Sequence, residues 1–290
     1  MRELVIISGK GGTGKTSLVA AFAALAENKV LCDADVDAAD LHLIMAPTTG
    51  KWQDFQGGHT ARINQDECSE CGLCRDLCRW DAISENYQID PIECEGCGVC
   101  FYFCPEEAID FPLKTCGEWF ISDTRFGPMV HARLGIAEEN SGKLVTLVRQ
   151  EARKLAEEKD LSLILTDGPP GIGCPVIASI GGASAVLIVT EPTVSGKHDM
   201  LRVAQLAAHF KVPAMICVNK FDLNPAETRI IEDIAREKDL TALGRIPFDP
   251  IFTKAMVQGQ TIFEYDTNSE TGGAVKQIWG KINKTLGINK

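Results

Sequence analysis

The chain has 290 residues, 45% of them hydrophobic, with twelve cysteines and a formal net charge of −11. This length allows one sizeable core and a small second one. No apolar stretch approaches the roughly 18 residues of a membrane-spanning helix, and the opening "MRELVIISGK" enters a strand-like run with no secretory-leader pattern. A cytoplasmic location is expected, and in a reducing compartment so many cysteines argue for metal ligation over a disulfide framework. Residues 61–115 hold twelve Asp and Glu against four Arg and Lys. Such a surface repels phosphate backbones and favours basic patches on a protein, so nucleic acid is not expected as a ligand.

Apolar runs at 4–7, 30–32, 161–165, 185–189 and 214–218 lack a period-two alternation, as suits strands buried on both faces of a parallel sheet. Helix-length patterns with apolar residues three and four apart lie at 15–27, 143–159, 197–210 and 225–238. Strand alternating with helix predicts an α/β, doubly wound, mostly parallel sheet.

After the first run comes "SGKGGTGKTS", residues 8–17. It fits G-x-x-x-x-G-K-[ST] with Gly9, Gly14, Lys15 and Thr16. Gly11, Gly12, Thr13 and Ser17 complete a loop whose backbone N–H groups close round phosphates; Lys15 supplies a charge and the Thr16 hydroxyl a Mg²⁺ ligand. The same string satisfies the dinucleotide fingerprint through Gly9, Gly11 and Gly14, a reading that leaves Lys15 and Thr16 without a role. "CDADVDAAD" follows the second run, with Asp33 and Asp35 at a strand end.

Between about 47 and 139 the alternation fails, and residues 61–116 contain an internal repeat. Offsetting by 26 residues places Cys68, Cys71, Cys74 and Cys78 on Cys94, Cys97, Cys100 and Cys104, with Gly72 on Gly98 and Ala82-Ile83 on Ala108-Ile109. Each row reads C-x2-C-x2-C-x3-C, the bacterial-ferredoxin spacing for [4Fe–4S] ligation, in which the fourth cysteine serves the other cluster. Cys68, Cys71, Cys74 and Cys104 are thus expected to hold one cluster, and Cys94, Cys97, Cys100 and Cys78 the other. Arg79 stands where the first row would carry proline. Zinc is the competing metal, though it favours two separated C-x2-C pairs. The expected division is an inserted ferredoxin-like domain at 61–116 within an ATPase domain of 1–60 and 117–290.

Farther on, "LILTDGPPGIG" delivers Asp167 to a strand end, with Cys174 seven residues later, and "VNKFD" carries Asn219. Cys32 and Cys217 lie in apolar runs and read as small buried residues. In the tail, apolar residues at 275, 278, 279, 282 and 286 form one helical stripe with three flanking lysines; it is read as a terminal helix packed on the sheet, and membrane contact through it is not expected.

The extra lysine in "GKGGTGKT", Lys10, resembles the deviant phosphate loop of the MinD, ParA, Mrp and nitrogenase iron protein superfamily. That resemblance implies an ATPase acting as a homodimer through its nucleotide face, with Lys10 reaching the partner's phosphates. It also implies Asp33 near Mg²⁺, Asp35 set for the attacking water, Asp167 holding a magnesium-bound water, and Asn219 facing adenine. With the cysteine rows, and with "FGPMVHARLGIAEENSGKLVTLVR" at 126–149, the chain resembles MinD-superfamily ATPases containing an inserted ferredoxin domain. Cys174 is similar in spacing to a cluster-ligating cysteine of the nitrogenase iron protein, although 138–141 offers no second cysteine. The expected cofactors are ATP/ADP, Mg²⁺ and two [4Fe–4S] clusters. The expected function is nucleotide-gated electron transfer to a protein acceptor, the alternatives being an Mrp-type cofactor-assembly carrier and a MinD-like spatial organiser.

Overall fold

The computed structural model describes residues 1–135 and 138–288; Ile136 and Ala137, within the 126–149 segment, lie outside the described residues. Among the described residues the strands run as β1 (Arg2–Ser8), β2 (Lys29–Asp33), β3 (Thr48–His59), β4 (Arg62–Ile63), β5 (Ile109–Asp110), β6 (Leu113–Thr124), β7 (Gly127–Leu134), β8 (Leu163–Pro170), β9 (Ala185–Thr190), β10 (Ala214–Asn219) and β11 (Thr241–Ile246). The helices are α1 (Lys15–Leu25), α2 (Leu41–Met45), α3 (Leu73–Leu77), α4 (Val99–Tyr102), α5 (Ser141–Glu158), α6 (Cys174–Ile180), α7 (Val194–His209), α8 (Pro225–Glu237), α9 (Ile251–Val257), α10 (Ile262–Tyr265) and α11 (Glu270–Leu286).

The chain divides into two compact units, one of Met1–Gln53, Trp119–Arg133 and Ser141–Lys290, the other of Asp54–Glu118 and Leu134–Asn140. A nine-stranded sheet has the order β11-β10-β9-β1-β8-β2-β7-β6-β3. From β11 to β7 its neighbours are parallel. Strands β2 and β9 are buried along their whole length, which is why their sequences are unbroken apolar runs. Strand β3 is exposed along its first seven residues. It and β6 fall in the stretch where the sequence showed no strand signal, because β3 at the sheet edge and the half-exposed β6 beside it leave no apolar run.

The larger unit packs α1 and α11 on one face of the sheet. Residues Leu18 to Ala23 of α1 are all at most 1% exposed, and Phe22 stacks on Trp279 at 5.2 Å, a contact worth about 0.5–1.5 kcal/mol beyond burial. The tail stripe Val275, Ile278, Trp279, Ile282 and Leu286 is buried in this same core, as the sequence predicts. Ser269 caps the start of α11 by accepting from the Gly272 N–H, and Gly287 at φ 62° closes its end. On the opposite face Glu3 of β1 accepts from Arg149 Nε and Arg153 Nη2, both at 2.7 Å, which ties α5 to the central strand.

The smaller unit pairs β4 with β5 antiparallel, Arg62 opposite Asp110 and Ile63 opposite Ile109. Its repeat is also a structural one. Gly72 at φ 83° opens α3 and Gly98 at φ 76° opens α4, a backbone conformation that glycine adopts without strain. Ala82, Ile83, Ala108 and Ile109, the matched apolar pairs, are buried.

His131 on β7 generates a pH dependence. Its ring bonds Ser122 Oγ at 2.9 Å and stacks on Phe120 at 4.9 Å. Burial, helped by neighbouring His42, pushes its pKa down to about 4. The unfolded chain takes up a proton near pH 6.5 that the folded one refuses until about 4, so stability is lost as pH falls through that window. Urea unfolding at pH 7 and 4.5 is expected to show a loss of about 2–3 kcal/mol from this residue, and His131→Gln should lose that much less than the parent.

Candidate functional site

The site lies in the larger unit, at the carboxyl ends of its central strands, where open α/β sheets bind ligands. The turn from β1 into α1 carries residues 8–17. Gly12 and Gly14 sit at φ 76° and 84°, and a Cβ on Gly14 would lie 2.5 Å from the Asn219 side-chain nitrogen, so glycine is required there. Lys15, 6% exposed, donates to Asp167 Oδ1 at 2.8 Å and Asp35 Oδ2 at 3.1 Å. Burial works to lower its pKa; the two carboxylates overcome this and hold it above its ordinary value.

Asp33 ends β2 and is paired in register with Asp167 of β8. It accepts from the backbone N–H of Asp35 at 3.2 Å and of Leu41 at 3.3 Å, so it also fastens the loop that follows. Burial and the Asp167 carboxylate raise its pKa well above the usual range. Burial likewise raises that of Asp35, against the pull of Lys15. Asp167 Oδ2 is buried with no hydrogen-bond partner among the described residues. An unsatisfied buried carboxylate oxygen is a hard donor of the kind that holds Mg²⁺ directly or through water, so Asp167, with the Thr16 hydroxyl, fits that ion.

A cleft of about 390 Å³ is lined by Ser8, the loop from Gly11 to Ser17, Asp35, Asn219, Lys220 and a wall from Pro247 to Met256. Two P-loop residues, Gly9 and Lys10, do not line it. Lys10 Nζ instead pairs with Glu191 Oε2 at 3.1 Å. Asn219 donates to the Thr13 carbonyl at 2.7 Å and accepts from the Lys220 N–H at 3.0 Å, so its amide braces the phosphate loop. Glu191, Lys220 and the 247–256 wall are functional candidates that sequence reasoning missed. Glu191 was findable as an acid at the end of β9, the strand beside β1; the wall has no motif.

In the smaller unit, Cys68, Cys71, Cys74 and Cys104 line one cavity and Cys78, Cys94, Cys97 and Cys100 another. Cys174 is exposed at the first position of α6 and forms no site by itself.

A family model described as the CobQ/CobB/MinD/ParA nucleotide binding domain matches residues 4–262. Protein MJ0578 of Methanocaldococcus jannaschii is 32% identical over 287 residues, which cover 98% of this chain and 97% of that protein. The septum site-determining protein MinD from Pyrococcus horikoshii OT3, solved as a complex with Mg-ADP, shares the fold with a TM-score of 0.61 at 19% identity, covering 99% of this chain and 98% of that one. The MinC:MinD cell division protein complex of Aquifex aeolicus gives 0.59 at 18%, covering 98% and 96%.

These findings overturn the expectation of an iron–sulfur protein performing nucleotide-gated electron transfer. The matching structures are MinD proteins of cell division, and they single out no inserted ferredoxin domain. Among the described residues no group of three or more His, Cys, Asp or Glu is placed to hold a metal ion. The physical reason for the difference is that cysteine spacing reports which thiols share a loop, whereas the reaction is set at the sheet edge. There the geometry is that of nucleotide binding, and the MinD/ParA proteins are ATPases.

Lys15→Ala removes the only cation bonded to Asp35 and Asp167 among the described residues. Loss of such a buried charge partner is expected to weaken Mg-ATP binding by about 100-fold or more in titration calorimetry.

Proposed function

Because the chain belongs to the CobQ/CobB/MinD/ParA nucleotide-binding family, we propose that it is a MinD-like spatial organiser, a dimerising ATPase whose nucleotide state decides which protein it holds. The observation that carries this reading is the buried Lys15 ammonium, shared between Asp35 and Asp167 at the mouth of the phosphate loop. A γ-phosphate entering the cleft takes over Lys15 and frees the two carboxylates, so the loops bearing them respond to which nucleotide is bound. Asp35 is then placed to orient water, and Asp33, Asp167 and Thr16 to hold Mg²⁺, which supplies positive charge to the phosphate oxygens. Asn219 acts by keeping Thr13, and with it the phosphate loop, in place.

Lys10, turned away from its own cleft, is assigned to the phosphates of a second copy. Lys10→Ala is expected to leave Mg-ATP affinity within about twofold, since exposed pairs contribute little, while removing most turnover and the ATP-dependent dimer seen by light scattering. Equal turnover and dimer in the variant and the parent would sink the dimeric mechanism. In the Aquifex complex MinD is held with MinC; here the partner surface is assigned to the nucleotide-responsive loops, because the α11 stripe is already buried in the core.

The eight cysteines of the rows are a separate proposal about residues: two thiolate ligand sets, each completed by the other row's last cysteine. It is supported by the two cavities, each lined by four thiols in that crossed pairing. Four thiolates suit a soft or borderline metal such as iron or zinc. Anaerobically purified protein is expected to carry metal in elemental analysis, and Cys78→Ser should lose roughly half of it, since ligand loss in one set spares the other. Metal-free protein, or a variant with full content, would refute the assignment.

A further inference from the structure

Glu191 sits just past the end of β9 and touches both sides of the phosphate loop. One carboxylate oxygen pairs with Lys10 Nζ at 3.1 Å; the other accepts from Lys220 Nζ, which in turn donates to the Gly12 carbonyl at 3.0 Å. Burial works to raise the Glu191 pKa, and the two lysines together hold it below its ordinary value, so it is ionised. The Lys10 side chain is 36% exposed and the Glu191 side chain 12%. Lys10 is thereby held on the rim of a cleft that it does not line.

We propose that Glu191 is a latch, a positioning residue that stores Lys10 on its own chain and sets how readily this lysine is released to a second copy. The inference rests on the dimeric reading of Lys10 given above. Release is inexpensive for a stated reason: when Lys10 leaves, Glu191 keeps Lys220, so no carboxylate is stranded without a cation. Lys220 also keeps its bond to Gly12, so the loop retains its shape while Lys10 moves. A carboxylate with Lys10 alone would instead lose its whole charge partner on every dimerisation.

The experiment uses the full chain with Mg²⁺ and a non-hydrolysable ATP analogue, so that turnover does not empty the dimer. Sedimentation velocity reads the protein concentration at half-dimerisation for the parent, Glu191→Gln and Glu191→Ala, each also combined with Lys10→Ala. The latch predicts a shift to roughly two- to fivefold lower concentration in both Glu191 variants, the range of one partly exposed ion pair. It also predicts that neither Glu191 variant restores a dimer to the Lys10→Ala chain, whereas an effect of Glu191 on dimerisation that does not pass through Lys10 would restore one. An unchanged or weakened dimer, or a gain that persists without Lys10, overturns the latch. If Glu191→Gln does not fold, as judged by its melting profile, Glu191→Ala carries the same test; if neither folds, Glu191 is structural and the latch is refuted. A parent that stays monomeric with the analogue overturns the dimeric reading itself and takes the latch with it, an outcome distinct from the others.

Discussion

One buried cation organises the site. Three strand-end or loop acids, Asp33, Asp35 and Asp167, converge where β2 and β8 run in register, and without a counter-charge their mutual repulsion and burial would favour neutralisation or opening of the loops. Lys15 is the cation that answers two of them. It reaches that place only because the phosphate loop is wound tightly, with Gly12 and Gly14 at positive φ and Thr13 tied to Asn219. The ammonium that acids hold in this arrangement is the one that phosphate oxygens take in a P-loop. In the proposed function, nucleotide binding is therefore an exchange of one set of anions for another around a fixed charge.

The second lysine of the loop obeys different energetics. Breaking a buried pair by removing one partner costs about 3–5 kcal/mol, whereas an exposed pair is worth about 0.2–1 kcal/mol. Lys15, 6% exposed, belongs to the first class, and Lys10, 36% exposed, to the second. One lysine is thus fixed and the other is free to be redirected at small cost, though they are only five positions apart. That difference comes from the sheet: Lys15 opens α1 and meets acids on β8 and just after β2, while Lys10 meets Glu191 just past β9.

Much of this was legible from the residues, and what was not has identifiable causes. Strands β1, β2, β8, β9 and β10 announced themselves because burial on both faces leaves unbroken apolar runs. The exposed residues of β3 lack that signature and were passed over. The phosphate loop was readable because backbone approach to phosphate demands glycine at fixed spacing. Asn219 was found but its amide is spent on Thr13, a bond no spacing rule encodes. Glu191 carries no motif at all; its role depends on β9 lying beside β1, which is a property of topology. The cysteine rows drew the functional reading toward electron transfer because their spacing is so regular, yet spacing constrains ligation and says nothing of what the ATPase cycle drives.

A nucleotide shifts an equilibrium only through contacts that differ between its bound states. That requirement narrows where a partner of this chain must dock. The core-facing stripe of α11 is committed to Phe22 and its neighbours and, among the described residues, lines no part of the cleft, so it offers a partner no free surface. The loop after β2 is fastened by Asp33 to the Leu41 N–H, and the loop after β8 is fastened by the Gly171 N–H to the Ser8 carbonyl at 2.9 Å. The first loop carries Asp35, and the strand leading into the second carries Asp167, both bonded to Lys15. In the proposed exchange, Asp35 in the first loop and Asp167 in the strand leading into the second lose the same partner together, and a surface spanning both would distinguish the two states more sharply than one that rests on either.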